Sequence, residues 1–317
     1  PRGKYRLSCG VCPATLFALA RTPRACPAAR GQPLSASPAV TAQDLSPLDA
    51  QLKFSAILPD FEDCLHRMDR ASAAVSDGWQ RVVYGEDPRQ WIETRDGTGP
   101  ADTVVLFFHG GYWRALDAIS HRFVQPGLAG LGAHYANAEY RLMPIRRMAD
   151  LAADAAGAAR AALAGTGATK IVLAGHSAGA HLALSALRDP LVRTAATGVV
   201  CISGVYDLAP LTRSFLQEEL ALTAREVADH SLGRVSWDIP LLILVGAEET
   251  ELFRKQAKNL AGASQNASYG EASRRHHMNV LFDLQSPSTP LAQSILGWAT
   301  GGVFPETVES SADDPPT

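Results

Sequence analysis

Four short stretches of the sequence hold side chains whose types and spacing could do chemistry. The first is Gly175-His176-Ser177-Ala178-Gly179, a G-x-S-x-G between an apolar run at 170–174 (KIVLA) and a helix-prone run at 178–187. A serine on the turn from a strand into a helix matches a nucleophile elbow, which exposes the hydroxyl above a sheet. Such a turn strains the serine backbone, and glycine on either side lets strand and helix approach without a Cβ clash. The positive end of the helix helps to stabilise negative charge there. His176, inside the turn, is expected to be structural.

The second stretch, His109-Gly110-Gly111-Tyr112-Trp113, follows directly on the apolar run 103–108 (TVVLFF). Acyl transfer places negative charge on the carbonyl oxygen in the transition state, and losing one donor to that oxygen costs about 10²–10³ in rate. A glycine pair after a strand can present backbone N–H groups for this purpose. Gly110 or Gly111 is expected to supply one donor and Ala178 the other.

The third and fourth stretches supply acid and base. In a serine hydrolase with this elbow the chain order is Ser, then Asp or Glu, then His. The apolar run 241–246 (LLILVG) precedes Glu248, Glu249 and Glu251, any of which could orient a histidine. After them the only histidines are His276 and His277. Neighbouring side chains seldom share an orientation, so one of the two is expected to be the base, held in one tautomer by the carboxylate. A metal on the pair lacks further ligands at a recognisable spacing, and none is expected. His66, His121, His134, His181 and His230 are expected on the surface or satisfied in the core.

These groups need a scaffold, and its elements are legible as alternating runs. A helix is predicted over 60–75 from its amphipathic spacing, then short strands at 80–84 and 90–94 around a GEDPR turn. Strands follow at 103–108, 135–140, 170–174, 198–202 and 241–245, with helices at 121–131, 148–163, 178–187 and 291–298. Continuous apolar strands alternating with helices predict an α/β fold with a mostly parallel sheet covered on both faces. Residues 206–238 break that rhythm and are read as a small cap insertion. No fixed-period repeat and no phosphate-binding glycine motif is present, so solenoids and nucleotide-dependent enzymes are excluded.

The chain has 317 residues and a net charge of -3. Residues 1–43 hold six basic residues and no acid, leaving a net of -9 for the remaining 274. This leader is expected to be disordered or targeting-like, and its Cys9–Cys12 pair lacks the partners of a zinc or redox site. The first residue is Pro1, and whether sequence precedes it is left open. The hydrolase domain is expected over 44–299, and an acidic, Pro- and Ser-containing tail over 300–317 is expected to be disordered. Near-neutral charge gives no nucleic-acid footprint, and no apolar run reaches the length of a membrane span. Five cysteines in so long a chain favour a reducing, cytoplasmic setting.

HGGYW (109–113), EYRLMP (139–144), GHSAGAHLAL (175–184) and SGVYDL (203–208) together resemble the serine-dependent kynurenine formamidases, or arylformamidases. These form a branch of the α/β-hydrolases near the hormone-sensitive-lipase-like esterases. The resemblance spans about residues 48–298. It implies Ser177 as nucleophile. The family acid lies four residues before a Phe, which selects Glu249 by counting back from Phe253, although the family usually has Asp there. HHMNVLFDL (276–284) resembles the family segment D-H-F-[DE]-V-x-x-x-L, which makes His277 the base, with His276 in place of Asp and Met278 in place of Phe. The implied reaction is hydrolysis of N-formyl-L-kynurenine to kynurenine and formate, without cofactor or metal. Tyr112 and Trp113 would line the pocket for the aryl group. A carboxylesterase for small acyl esters is the alternative. A non-catalytic binding protein on this fold is disfavoured, because Ser, carboxylate and His are all present. The expected partner is a small aryl formamide or ester, with no nucleic acid and no membrane; a homodimer is left open.

Overall fold

Apolar runs rich in Val, Leu and Phe make the central strands, and the computed structural model describes them within residues 45–310. The strands are β1 (Gln80–Val83), β2 (Trp91–Asp96), β3 (Thr103–Phe108), β4 (His134–Ala138), β5 (Lys170–His176), β6 (Ala196–Ile202), β7 (Leu241–Gly246), β8 (Ala267–Ala272) and β9 (Thr307–Val308). They form one sheet in the order β1-β2-β4-β3-β5-β6-β7-β8-β9. β2 runs antiparallel to both β1 and β4, and every other pairing is parallel.

The helices are α1 (Phe54–Ile57), α2 (Phe61–Ala73), α3 (Gln125–Leu128), α4 (Met148–Thr166), α5 (Ala178–Ala186), α6 (Pro190–Ala195), α7 (Leu216–Leu220), α8 (Ala224–His230), α9 (Glu251–Ala263) and α10 (Pro290–Ala299). Successive strand side chains point to opposite faces, and both faces here are apolar. From β3, Val104, Leu106 and Phe108 pack into one cluster with α4, α5 and α9. Val105 and Phe107 pack into the other with α2, α3 and α10. All six residues of β3 and of β7 are buried, as strands covered on both faces must be.

Two expectations change, and one strand appears that the patterning does not announce. The predicted helix at 121–131 is broken into 3-10 turns at Ile119–Val124 and Ala129–Leu131 around the short α3. Pro126 and Gly127 interrupt it, and a Cβ at Gly127 would sit 2.6 Å from the Leu284 carbonyl oxygen. The strand β8 was not legible because ASYGEA lacks an apolar run. The tail over 300–317 is not disordered throughout: β9 pairs with β8, and Phe304 and Val308 are buried in the second cluster. These two apolar side chains outweigh the acidic composition around them. The leader over 1–43, residue 44 and residues 311–317 lie outside the described residues. Among the described residues, no helix is long and apolar enough to cross a membrane.

The insertion at 206–238 folds as a 3-10 turn (Ala209–Arg213), α7 and α8. Arg147, at the start of α4, holds it down. Its guanidinium donates to both Glu226 carboxylate oxygens and to the carbonyls of Leu220 and Ala221.

Candidate active site

β3, β5, β7 and the segment after β8 all deliver their loops to one edge of the sheet, at the carboxyl ends of the strands. Open α/β sheets bind ligands at that edge. β5 ends at His176, and Ser177 turns the chain into α5 with φ 54° and ψ -119°. That left-handed conformation is rare for a residue with a side chain. Close packing enforces it. A Cβ at Gly175 would lie 2.3 Å from the Gly179 carbonyl oxygen, and one at Gly179 would lie 2.0 Å from that of Phe108. Only glycine at both positions lets α5 sit this close to β3 and β5.

Ser177 Oγ lies 3.0 Å from His277 Nε2, and His277 Nδ1 lies 2.8 Å from Glu249 Oε1. With the Nδ1 proton donated to the carboxylate, Nε2 is free to accept the serine hydroxyl proton. Of the three carboxylates after β7, Glu249 is buried, whereas Glu248 and Glu251 are exposed. His276 turns away from Ser177, and its Nε2–H donates to Asp60 Oδ2 at 3.1 Å.

Burial pushes the Glu249 carboxyl up to about 8, against the pull of the neighbouring Ser203 hydroxyl and of His276. Burial also holds His277 well below the usual histidine range, with His276 adding to the effect. Both shifts share a cause, the exclusion of water, which opposes net charge on either group. The imidazole is therefore neutral and ready to take a proton, and Glu249, once ionised above its raised value, is placed to stabilise the imidazolium.

The imidazole is also fixed sterically. Phe54 of α1 stacks on it with ring centroids 3.9 Å apart, and Phe253 meets it edge-on at 4.7 Å. His176 Nε2–H donates to the His277 carbonyl at 2.8 Å. Arg275 and Asp283, both buried, form a two-pronged ion pair with both contacts at 2.8 Å, bracing the loop that carries His277. Phe54, Ser203, Arg275 and Asp283 were not singled out from the sequence. Only the Arg275–Asp283 spacing, eight residues apart around the histidines, offered any signal.

After β3 the backbone takes positive φ at three residues in succession: Gly111 (102°), Tyr112 (48°) and Trp113 (59°). A Cβ at Gly111 would sit 2.2 Å from the Ala115 carbonyl oxygen, so glycine is required. A Cβ at Gly110 would lie 3.3 Å from that of Ser177, which places this turn against the serine. Ala178 opens α5, where first-turn N–H groups have no intrahelical acceptor. Gly110 thus packs against Ser177, Gly111 lines the same cavity, and Ala178 follows the serine directly.

Ser177, His277 and Gly111 open into a cavity of about 350 Å³. Its apolar lining includes Phe54, Phe61, Leu65, Met68, Tyr112, Phe215 and Met278, and it also carries Lys53, Arg114 and Glu219. Tyr112 lines the wall, its hydroxyl donating to the Leu52 carbonyl at 2.9 Å. Trp113 does not line it, which corrects the sequence expectation. It is fully buried and packs edge-on against His181 with centroids 5.2 Å apart. The sharp turn that presents the glycines sends the next two side chains in different directions, one to the cavity and one to the core.

A family model described as alpha/beta hydrolase fold matches residues 105–252. The kynurenine formamidase of Danio rerio is 25% identical over 233 residues, which cover 68% of this chain and 80% of that protein. A crystal structure from Silicibacter sp., assigned as a thioesterase, is 28% identical with a TM-score of 0.71, covering 78% of this chain and 98% of that one. A hormone-sensitive lipase from a metagenome library has the same fold, with a TM-score of 0.56 at 17% identity, covering 76% of this chain and 98% of that one.

Proposed function

From the premise that the chain is an α/β-hydrolase related to the kynurenine formamidases, we propose that it hydrolyses N-formyl-L-kynurenine to kynurenine and formate through Ser177, His277 and Glu249. The observation that carries this reading is the hydrogen-bonded series Ser177–His277–Glu249 at the floor of an aromatic cavity.

His277 Nε2 takes the Ser177 proton as Oγ attacks the formyl carbon. The carbonyl oxygen becomes an oxyanion and meets N–H groups from Gly110 or Gly111 and from Ala178. The tetrahedral species collapses as the C–N bond breaks, and the proton on His277 passes to the departing aryl nitrogen. Kynurenine leaves and formyl-Ser177 remains. His277 then deprotonates a water, which attacks the formyl ester; the proton returns to Ser177 Oγ and formate is released. Formyl carries only hydrogen beside its carbonyl, so little space is needed on that side of Ser177. The aryl ring requires an apolar wall, which Phe54, Tyr112 and Phe215 supply. Arg114 and Glu219 pair with each other at the cavity wall, and Lys53 beside them offers a cation to the carboxylate of the amino-acid end, a feature a simple ester does not use.

The second reading keeps the same residues and changes the acyl group. The Silicibacter relative is assigned as a thioesterase, and the same machinery opens esters and thioesters, since fold does not fix substrate. The test is covalent capture and turnover together. A fluorophosphonate should label Ser177, and Ser177→Ala should lose both the label and turnover of formylkynurenine. Labelling without any formylkynurenine turnover would leave the esterase reading in place and remove the formamidase one.

A further inference from the structure

Beside the His277 loop lies a second cluster of chemically competent side chains, none of which the hydrolysis uses. Asp60 immediately precedes α2, and Cys64 follows one turn later on the same face. His276 reaches them from the loop, one residue before the base. Both Cys64 Sγ–H and His276 Nε2–H donate to a single oxygen, Asp60 Oδ2, at 3.5 and 3.1 Å. A sulfur, a nitrogen and an oxygen donor lie within 4.8 Å of one another. Asp60 Oδ1 is buried with no hydrogen-bond partner among the described residues. Cys64 and His276 are buried, while the Asp60 side chain is 42% exposed and leaves a route from solvent.

Zinc bonds of about 2.0–2.3 Å in a tetrahedron place neighbouring donors about 3.3–3.8 Å apart. Two of the separations here, 3.5 and 3.1 Å, are close to that before any ion enters, and the third is within 4.8 Å. Cys, His and Asp together suit a cation of intermediate softness, with water in the fourth position.

We propose that Asp60, Cys64 and His276 bind a thiophilic divalent cation of the zinc class, and that binding slows hydrolysis by shifting the loop that carries His277. The thiol gives up its proton to solvent, and the imidazole proton moves from Nε2 to Nδ1 as Nε2 becomes the ligand. Nδ1 now accepts the Met278 N–H at 3.2 Å. Once protonated, it faces that N–H with a second donor, and the two must separate. Met278 follows His277 directly and lines the cavity, so the movement reaches both the base and the substrate wall.

The test uses the full chain with Cys9, Cys12 and Cys26 replaced by Ser, and p-nitrophenyl acetate as substrate, so that it does not depend on the formamidase reading. Co²⁺ titration should give a thiolate-to-cobalt charge-transfer band saturating at one equivalent and removed by Zn²⁺. Zn²⁺ should lower kcat by about tenfold or more. Cys64→Ser should lose the band and the Zn²⁺ sensitivity while keeping metal-free activity. Asp60→Asn, at a more exposed position, should weaken Zn²⁺ binding at least about tenfold and serves if Cys64→Ser does not fold. Absence of the band, or a band and inhibition unchanged in these variants, would overturn the site. Stoichiometric binding with unchanged kcat would overturn its control of hydrolysis.

Discussion

His176, within the elbow, donates from Nε2 to the backbone carbonyl of His277, 2.8 Å away and 101 residues along the chain. The segment that presents Ser177 therefore also holds the loop that presents His277. Burial keeps His176 neutral, well below the usual histidine range. We expect His176→Leu to lower kcat about tenfold or more with KM little changed, since a misplacement near 1 Å can cost about 10². His176→Gln, which retains a donor, should recover part of the loss. Steady-state kinetics on the two variants checks this, and equal rates for Leu and His would contradict it.

Glu249 reaches His277 Nδ1 at 2.8 Å with a glutamate's length. Glu249→Asp shortens the side chain by one methylene in a loop built around Glu, and should lower kcat/KM by about ten- to a hundredfold. Glu249→Gln should cost more, up to about 10⁴, because the amide also allows the wrong imidazole tautomer. The order Glu, Asp, Gln is the expected outcome of comparative kinetics. Aspartate as active as glutamate would place the acid elsewhere.

The Arg275–Asp283 pair is almost completely buried. Removing one partner of a buried pair strands a charge and typically costs about 3–5 kcal/mol. Asp283→Ala should show a loss of this size in denaturant unfolding, with reduced activity in whatever remains folded. A loss below about 1 kcal/mol would mean that the loop is braced by other contacts.

Acid should loosen the cap over the cavity. Burial pushes Glu226 up, but hydrogen bonds from Arg147, Thr223 and the Met148 amide outweigh it and hold the carboxyl at about 2, below its ordinary 4.5. A carboxyl with a depressed folded value contributes stability that is present above the ordinary value and lost as pH falls through the folded one. Glu226→Gln should lower Tm at pH 7, and the gap from the parent should close between about pH 5 and pH 2. A gap independent of pH would show that the carboxylate's charge contributes nothing.

Much of this site was legible in the sequence because its motifs are local. GHSAG and HGGYW are contiguous, and each sits at the end of an apolar strand whose six- or seven-residue run is itself readable. Spacing alone left three glutamates open, and the family pattern selected Glu249. What stayed hidden was what only folding brings together. Phe54 stacks on a residue 223 positions away, and Asp60 meets His276 across 216. The pattern does not announce β8 because a strand near the edge of a sheet needs few apolar residues, and the order of residues 300–310 rests on Phe304, Val308 and the pairing of β9 with β8. Trp113 was misplaced because adjacent side chains in a left-handed turn diverge in a way no sequence period describes.

Ser177 is proposed to cleave an aryl formamide that this pocket selects. The most direct measurement is kcat/KM for N-formyl-L-kynurenine, followed by kynurenine absorbance, beside that for p-nitrophenyl acetate on the same preparation. We expect formylkynurenine to be the better substrate by about tenfold or more, with both activities falling by about four orders of magnitude in Ser177→Ala. Brisk ester hydrolysis with no release of kynurenine would contradict the account.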